Sequence, residues 1–325
     1  MAKEIALLVV SDIHYASAQE KARGEFELEA IRQPVPWLAT KLFRHFIWLR
    51  HPMAHNSLLD QFLERAGEAD FVVANGDYSC DSAFIGVSDE AVFASVRECL
   101  GKLRDRFGGR FRAGFGDHEL GKRSLFGGRG GLRLASWRRA ESALGLDPFW
   151  YQELGEYVLM GVVSSLIALP VFRSDVLPEE LNDWERLRAE HLDAIGRAFG
   201  RLRPSQRVLL FCHDPTALPY LWREEGVRSK LDQVEHTIIG HLHSGLFLWK
   251  SRMLAGMPVI GFMGNSVRRM SMALHEARRW KPFKVRLCPA LAGIELLKDG
   301  AFLQVFLDPT ATRPCRFHRH RIRRA

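Results

Sequence analysis

The sequence predicts a mixed α/β sandwich, with helices outside and two sheets inside, and three observations carry that expectation. Short apolar runs recur and each ends in a polar cluster: Ile5–Val10 before Ser11-Asp12, Phe71–Ala74 before Asn75-Gly76-Asp77, Phe111–Phe115 before Gly116-Asp117-His118, Val208–Cys212 before His213-Asp214, and Thr237–Ile239 before Gly240-His241. Such runs have the pattern of buried strands, and their ends deliver polar loops to the sheet edge where open α/β folds place ligands. Helical periodicity fills the gaps, at Leu58–Ala66, Glu90–Phe107, Leu181–Phe199 and Trp222–Leu231. Strands alternate with helices early and cluster late, with further candidates at Val259–Met263, Gly293–Leu297 and Phe302–Phe306.

The 325 residues, 47% of them hydrophobic, suffice for a sizeable core and argue against disorder. No internal repeat or low-complexity linker interrupts the chain before residue 311. We therefore expect one domain over residues 1–310, with basic and aromatic insertions near 34–57 and 120–150, and a basic C-terminal tail over 311–325. The formal charge is +8. Arg313, Arg316, Arg319, Arg321, Arg323 and Arg324 supply six of those charges without an acid among them, so the body is nearly balanced. Such an end reads either as a solvated tail or as a patch for phosphates or anionic lipid.

Five scattered cysteines, Cys80, Cys99, Cys212, Cys288 and Cys315, form no C-x-x-C pair and fit a reducing compartment. The first apolar stretch is too short for a secretory signal, and the longest, Tyr157–Val171, too short for a spanning helix. The expectation is a cytoplasmic protein, with peripheral association at the inner face of the membrane as an extension of it.

Five blocks carry the chemistry: Asp12-Ile13-His14, Gly76-Asp77, Gly116-Asp117-His118-Glu119, His213-Asp214 and Gly240-His241-Leu242-His243. Each alone is a weak signal; together, each after a strand, they point to metal. In D-x-H and H-x-H an extended backbone points both side chains the same way. Carboxylate and imidazole donors suit Mn, Fe, Zn, Ni or Co, and the lack of Cys argues against a thiolate zinc site. Two divalent cations about 3.5–4 Å apart can stabilise the attacking and leaving oxygens of an in-line displacement at phosphorus.

The order D-x-H, G-D, G-D-H-E, H, G-H-x-H resembles the calcineurin-like metallophosphoesterase superfamily, across Asp12 to His243. The resemblance implies a four-layer α/β/β/α sandwich and a metal-dependent phosphoric ester or diphosphate hydrolase with two divalent metals, manganese foremost. It implies that Asp12, His14 and His243 hold the first metal, that Asp77 bridges, and that Asp117, His213 and His241 hold the second. His118 would assist at the leaving or non-bridging oxygen, with Glu119 orienting its imidazole. The superfamily usually has Asn where this chain has Asp117. A carboxylate only accepts and adds charge, which tightens metal binding and weakens attraction for an anionic phosphate.

The segments outside the blocks bear on substrate. Gly76-Asp77-Tyr78-Ser79-Cys80-Asp81-Ser82 lacks the Arg that similar phosphoprotein phosphatases use to grip phosphate, which argues against that class. Residues 36–51 place Leu38, Leu42, Phe46 and Leu49 along one stripe, with Lys41, Arg44, Arg50 and Trp37, Phe43, Trp48 around it. This fits either an interfacial helix on an anionic bilayer or a helix packed on the domain with its cations solvated. Leu125–Trp150 reads as a basic, aromatic lid whose Arg129 and Arg133 could contact substrate; Arg268–Arg286 adds seven cations against Glu276. Basic and apolar loops suit a phosphate substrate with an apolar part, and the chain is similar at this level to the bacterial hydrolases that cleave UDP-2,3-diacylglucosamine in lipid A biosynthesis. A nuclease or cyclic-nucleotide phosphodiesterase is the alternative, and a scaffold of the same fold without turnover the alternative from another class.

Overall fold

The computed structural model describes residues 3–24, 26–80, 84–124, 128–262 and 265–323. The strands are β1 (Ile5–Val10), β2 (Phe71–Ala74), β3 (Phe111–Ala113), β4 (Trp150–Leu154), β5 (Tyr157–Val162), β6 (Arg207–Cys212), β7 (Val234–Ile239), β8 (Val285–Leu287), β9 (Ala301–Leu307) and β10 (Arg316–Arg321). They form two five-stranded sheets, ordered β10-β9-β1-β2-β3 and β4-β5-β6-β7-β8. Within the first, β1, β2 and β3 run parallel and β9 and β10 antiparallel; within the second, β5 to β8 run parallel and β4 antiparallel.

The period-two alternation of each strand builds the layers. On β1, Leu7 and Val9 face the core between the sheets, and Leu8 and Val10 face the helical side. On β6, Leu209 and Phe211 face inward while Val208, Leu210 and Cys212 face a second helical layer. Three apolar cores thus separate four layers in the expected α/β/β/α order. The longer helices are α1 (Pro34–Phe46), α2 (Asn56–Arg65), α3 (Glu90–Phe107), α4 (Leu134–Ser142), α5 (Leu181–Gly200), α6 (Gly245–Met253) and α7 (Asn265–Glu276). The third begins where the Asp89 carboxylate accepts from the Ala91 and Val92 amides, and ends at Gly108 with φ 55°. Among the described residues no helix is long and apolar enough to cross a membrane.

Several expectations are corrected. Val259–Met263 is no strand over its described residues, and Gly293–Leu297 is a turn with Gly293 at φ 63°; neither short run finds a pairing neighbour. Trp222–Leu231 is split, because Glu224 is extended between helices Leu218–Arg223 and Glu225–Arg228. The arginine-rich end is not a free tail: β10 pairs with β9 along Arg316–Arg321 and closes the edge of the first sheet. Its outward charges are the usual guard of an exposed edge, which is why apolar periodicity does not reveal it. On α1 the stripe Leu38, Leu42 and Phe46 is exposed, whereas Arg44 is buried and Leu49 packs into the core.

Candidate metal centre

The parallel strands β1, β2, β3, β6 and β7 end at Val10, Ala74, Ala113, Cys212 and Ile239, and a block follows each of them. The backbone then turns sharply. Five of the eight non-glycine residues with positive φ among those described are Asp12 (51°), His14 (51°), Asp77 (56°), His241 (44°) and His243 (56°). Left-handed backbone costs on the order of 1–3 kcal/mol per residue and persists where the surroundings enforce it. The D-x-H and H-x-H pairs are therefore aimed by left-handed turns, not by the extended backbone expected from their spacing. The Asp12 amide donates to the Gly76 carbonyl at 3.1 Å, and Ile13 and His14 donate to the Asp77 carbonyl at 2.9 and 3.2 Å.

The turned loops bring two groups of donors together. Asp12, His14 and His243 form one group, and Asp77, His213 and His241 another, with the ligating atoms of each group within 4.8 Å of one another. His14 Nε2 lies 3.1 Å from His243 Nε2, and Asp12 Oδ1 lies 3.2 Å from His243 Nε2. Asp77 Oδ2 lies 3.3 Å from His213 Nε2, and Asp12 Oδ1 reaches to 3.9 Å from the same nitrogen, which joins the groups. Backbone carbonyls set the tautomers. His14 and His118 each donate through Nδ1 to the Ser79 carbonyl, at 3.1 and 2.9 Å, and His213 Nδ1 donates to the Asn75 carbonyl at 2.6 Å. A carbonyl only accepts, so when neutral each Nε2 presents a lone pair to the centre.

Both Asp12 carboxylate oxygens and His213 Nε2 are buried without a hydrogen-bond partner. Buried polar atoms are ordinarily satisfied; converging unsatisfied acceptors fit a cation. Burial favours the neutral form of Asp12, but His243 and His213 outweigh it and hold the carboxyl down at about 2. Burial likewise opposes ionisation of Asp77, and His118 and His213 overcome it. Oxygen and imidazole donors without thiolate fit divalent cations.

Gly240 is required by close approach. A Cβ there would lie 2.1 Å from Ser11 Oγ, 2.5 Å from Asp12 Oδ2 and 3.0 Å from His213 Nδ1. Gly240→Ala is expected to displace both ligand candidates and to cost about 1–3 kcal/mol by overpacking. Urea unfolding and metal analysis check this; a variant with wild-type stability and metal content would show that the contact relaxes freely.

Asp117 and Glu119 depart from the expected arrangement. Asp117 Oδ2 lies 2.9 Å from His241 Nδ1 and its Oδ1 accepts from Ser165 Oγ at 3.2 Å. It groups with His241 and Asp214, not with Asp77 and His213. Burial alone would lower the His241 pKa, but Asp117 and Asp214 raise it to about 10. Glu119 does not orient His118. Its carboxylate accepts from the backbone amides of Gly116 (2.7 Å), Tyr78 (2.9 Å) and Asp77 (3.1 Å), and so fixes the loop that carries Asp77. The ring of His118 is held instead by Ser79 and by Lys122, whose Nζ donates to His118 Nε2 at 2.9 Å. Burial, and then Lys122, push His118 down to about 4.

A small cavity of about 90 Å³ opens over the donors, walled by Arg44, Trp48 and Lys122 among others. Trp48 stacks on His243 with ring centroids 4.3 Å apart. A larger cavity of about 340 Å³ shares Asp117, Lys122 and His241 with it, and its walls include Leu132, Val171, Phe172, Met270 and Trp280. Arg129 and Arg133 line neither cavity; Arg133 is spent on the Leu132 and Gly130 carbonyls, at 2.8 and 3.3 Å. The cations that do line the cavities, Arg44, Lys122, Arg123 and Arg269, were not singled out by sequence as substrate contacts. For Lys122 a signal existed: four residues after His118, it can return to the same face.

No family model matches the chain, and no curated protein does. Among solved structures it is similar to the purple acid phosphatase PPD1 of yellow lupin seeds, at 10% identity and TM-score 0.38 over 75% of this chain and 38% of that one. The chain thus spans well under half of that protein. It is similar to a predicted phosphoesterase of Streptococcus pneumoniae, at 9% identity and TM-score 0.28 over 98% of this chain and 100% of that one. It is also similar to the phosphopantetheinyl hydrolase PptH of Mycobacterium tuberculosis, at 15% identity and TM-score 0.35 over 75% of this chain and 84% of that one. The layers, and the order in which the blocks follow the strands, are those that the sequence resemblance implies.

Proposed function

We propose that this protein is a binuclear metal-dependent phosphoesterase that hydrolyses a phosphodiester or pyrophosphate bond. The observation that carries the reading is the convergence of the buried Asp12, His14, Asp77, His213 and His243 with the half-exposed His241, in which both Asp12 carboxylate oxygens and His213 Nε2 have no hydrogen-bond partner. Asp117, anchored on His241, joins the second group from its flank. Two divalent cations held by this donor set would supply charge neutralisation at phosphoryl oxygens and would acidify the attacking water.

The chain's own groups do the rest. Asp12 of the first group reaches toward His213 of the second, and Asp77 lies between His213 and His118. His118 Nε2 accepts from the Lys122 ammonium, so the pair presents a positive charge and a mobile proton beside Asp77, 3.7 Å from His118. That charge can stabilise a leaving oxygen as it becomes negative, and the Lys122–His118 bond offers it a proton. A catalytic reading is preferred to a scaffold because every ligand position keeps an oxygen or nitrogen donor.

The larger cavity supports a substrate with an apolar part. Its walls interleave Leu132, Val171, Phe172, Met270, Leu274 and Trp280 with charged and hydroxyl side chains, and Arg123 and Arg269 both pair with Asp175, which mutes their charge. A lipid-linked nucleotide such as UDP-2,3-diacylglucosamine has that composition; a nucleic acid calls for unpaired cations along a groove. The test is hydrolysis of bis-p-nitrophenyl phosphate by protein loaded in turn with Mn, Fe, Zn, Ni or Co, with metal counted per chain. Turnover with two metals bound is the expected result. No turnover with any of them, in protein that retains two metals, would overturn the catalytic reading. A panel of UDP-2,3-diacylglucosamine, single-stranded DNA and cyclic nucleotides then separates the substrate classes.

A further inference from the structure

Exposed apolar side chains lie on the segments that adjoin the metal centre. Leu38, Leu42 and Phe46 of α1 are 51%, 48% and 58% exposed, Trp249 and Met253 of α6 are 60% and 68%, and Leu296 is 53%. Scattered exposed apolar residues need no explanation, but a contiguous group does. Trp48 ties α1 to α6 and to the turn that carries Leu296. Its ring stacks near Phe43 at 6.1 Å and meets Phe247 of α6 edge-on at 5.5 Å. Its carbonyl accepts from the Glu295 amide at 2.6 Å, and the neighbouring Ile47 carbonyl accepts from Leu296 at 3.3 Å. The same ring lies on His243, so the apolar rim begins where the candidate metal ligands end. Phe262 is 88% exposed on the segment between α6 and α7.

The charge on the two helical segments of this rim has one sign, and the turn adds the half-buried Glu295 beside the exposed Lys298. Residues 34–50 contain Lys41, Arg44 and Arg50 and no acid; residues 249–275 contain Lys250, Arg252, Arg268 and Arg269 and no acid. Arg44 turns toward the metal pocket and Arg269 toward Asp175. Lys41, Arg50, Lys250, Arg252 and Arg268 remain on these acid-free segments. Apolar side chains flanked by cations complement an anionic lipid headgroup layer. A second copy of the chain is the weaker occupant, because a two-fold contact would bring the same cations face to face.

We infer that α1, α6 and the turn at 293–297 form a docking face for an anionic lipid bilayer, with the metal pocket opening toward the headgroups. The proposal goes beyond the hydrolytic reading and does not depend on it. The test is flotation of the full chain with phosphatidylcholine vesicles, with and without phosphatidylglycerol, alongside light scattering of the protein alone. The protein is expected to float with the anionic vesicles and not with the neutral ones, and to be released by high salt. The Leu42→Glu/Phe46→Glu double variant should lose flotation by about tenfold or more, the scale expected when two apolar side chains become charged at such a surface. Trp249→Ser should weaken it independently from the neighbouring helix. Both should keep wild-type turnover of the soluble ester, which separates failure of docking from failure of the catalytic reading. Wild-type protein that stays unbound, variants that float as wild type, or a solution dimer that the variants dissociate would each overturn the proposal.

Discussion

Asp77→Asn is expected to lower turnover of bis-p-nitrophenyl phosphate by on the order of 10³-fold or more, at or beyond the upper end of the roughly 10²–10³ for removal of a single preorganised electrostatic contact. The carboxylate stands 3.3 Å from His213 of the second donor group and 3.7 Å from His118, and its charge also acts on His14 of the first group. An amide has one carbonyl oxygen and no charge, so it cannot serve two cations. Metal content should fall below two per chain. The fold should survive, because the amide oxygen can still accept from the His118 backbone amide as Asp77 Oδ1 does at 3.1 Å. Parallel circular dichroism and metal analysis check this. Wild-type rate and full metal content in a folded variant would show that Asp77 is not the shared ligand.

His118→Ala should reduce turnover by on the order of 10²–10⁴-fold, the contribution of a positioned general acid–base group, while metal content stays at the wild-type level. The distinction from Asp77 follows from geometry. His118 Nδ1 is tied to the Ser79 carbonyl and Nε2 to Lys122, so the ring is committed to a proton relay and not to ligation. Lys122→Met should produce a loss of the same order without loss of metal, since it removes the ammonium of the pair. Loss of metal in His118→Ala would place the imidazole among the ligands. An unchanged rate in both variants would remove the pair from catalysis.

Glu119 illustrates how a residue legible as important can be assigned the wrong partner. Its place beside His118 in sequence suggests that it orients the imidazole. In the folded chain the short helix at Asp117–Leu120 turns the carboxylate toward the Gly116, Asp77 and Tyr78 amides. Burial and the nearby Asp77 charge then push its pKa up to about 8. Arg129 and Arg133 show the same limit from the other side: a basic loop near a site in sequence need not face it.

The strands that carry the donors were legible because burial on both faces writes itself as an uninterrupted apolar run, and because a polar cluster directly after such a run marks a sheet edge. The strands Trp150–Leu154 and Arg316–Arg321 were not, since each lies at a sheet edge where one face meets solvent and charges replace the apolar pattern. The donor types and their order, and hence the class of metal chemistry, are properties of the sequence, because ligand chemistry belongs to the side chain itself. The left-handed turns that aim Asp12, His14 and Asp77, the seat of Lys122 on His118, and the inward turn of Arg44 beneath an exposed apolar stripe were decided only in three dimensions. Each depends on contacts between segments far apart along the chain, and no local pattern records a contact that the rest of the fold must first enforce.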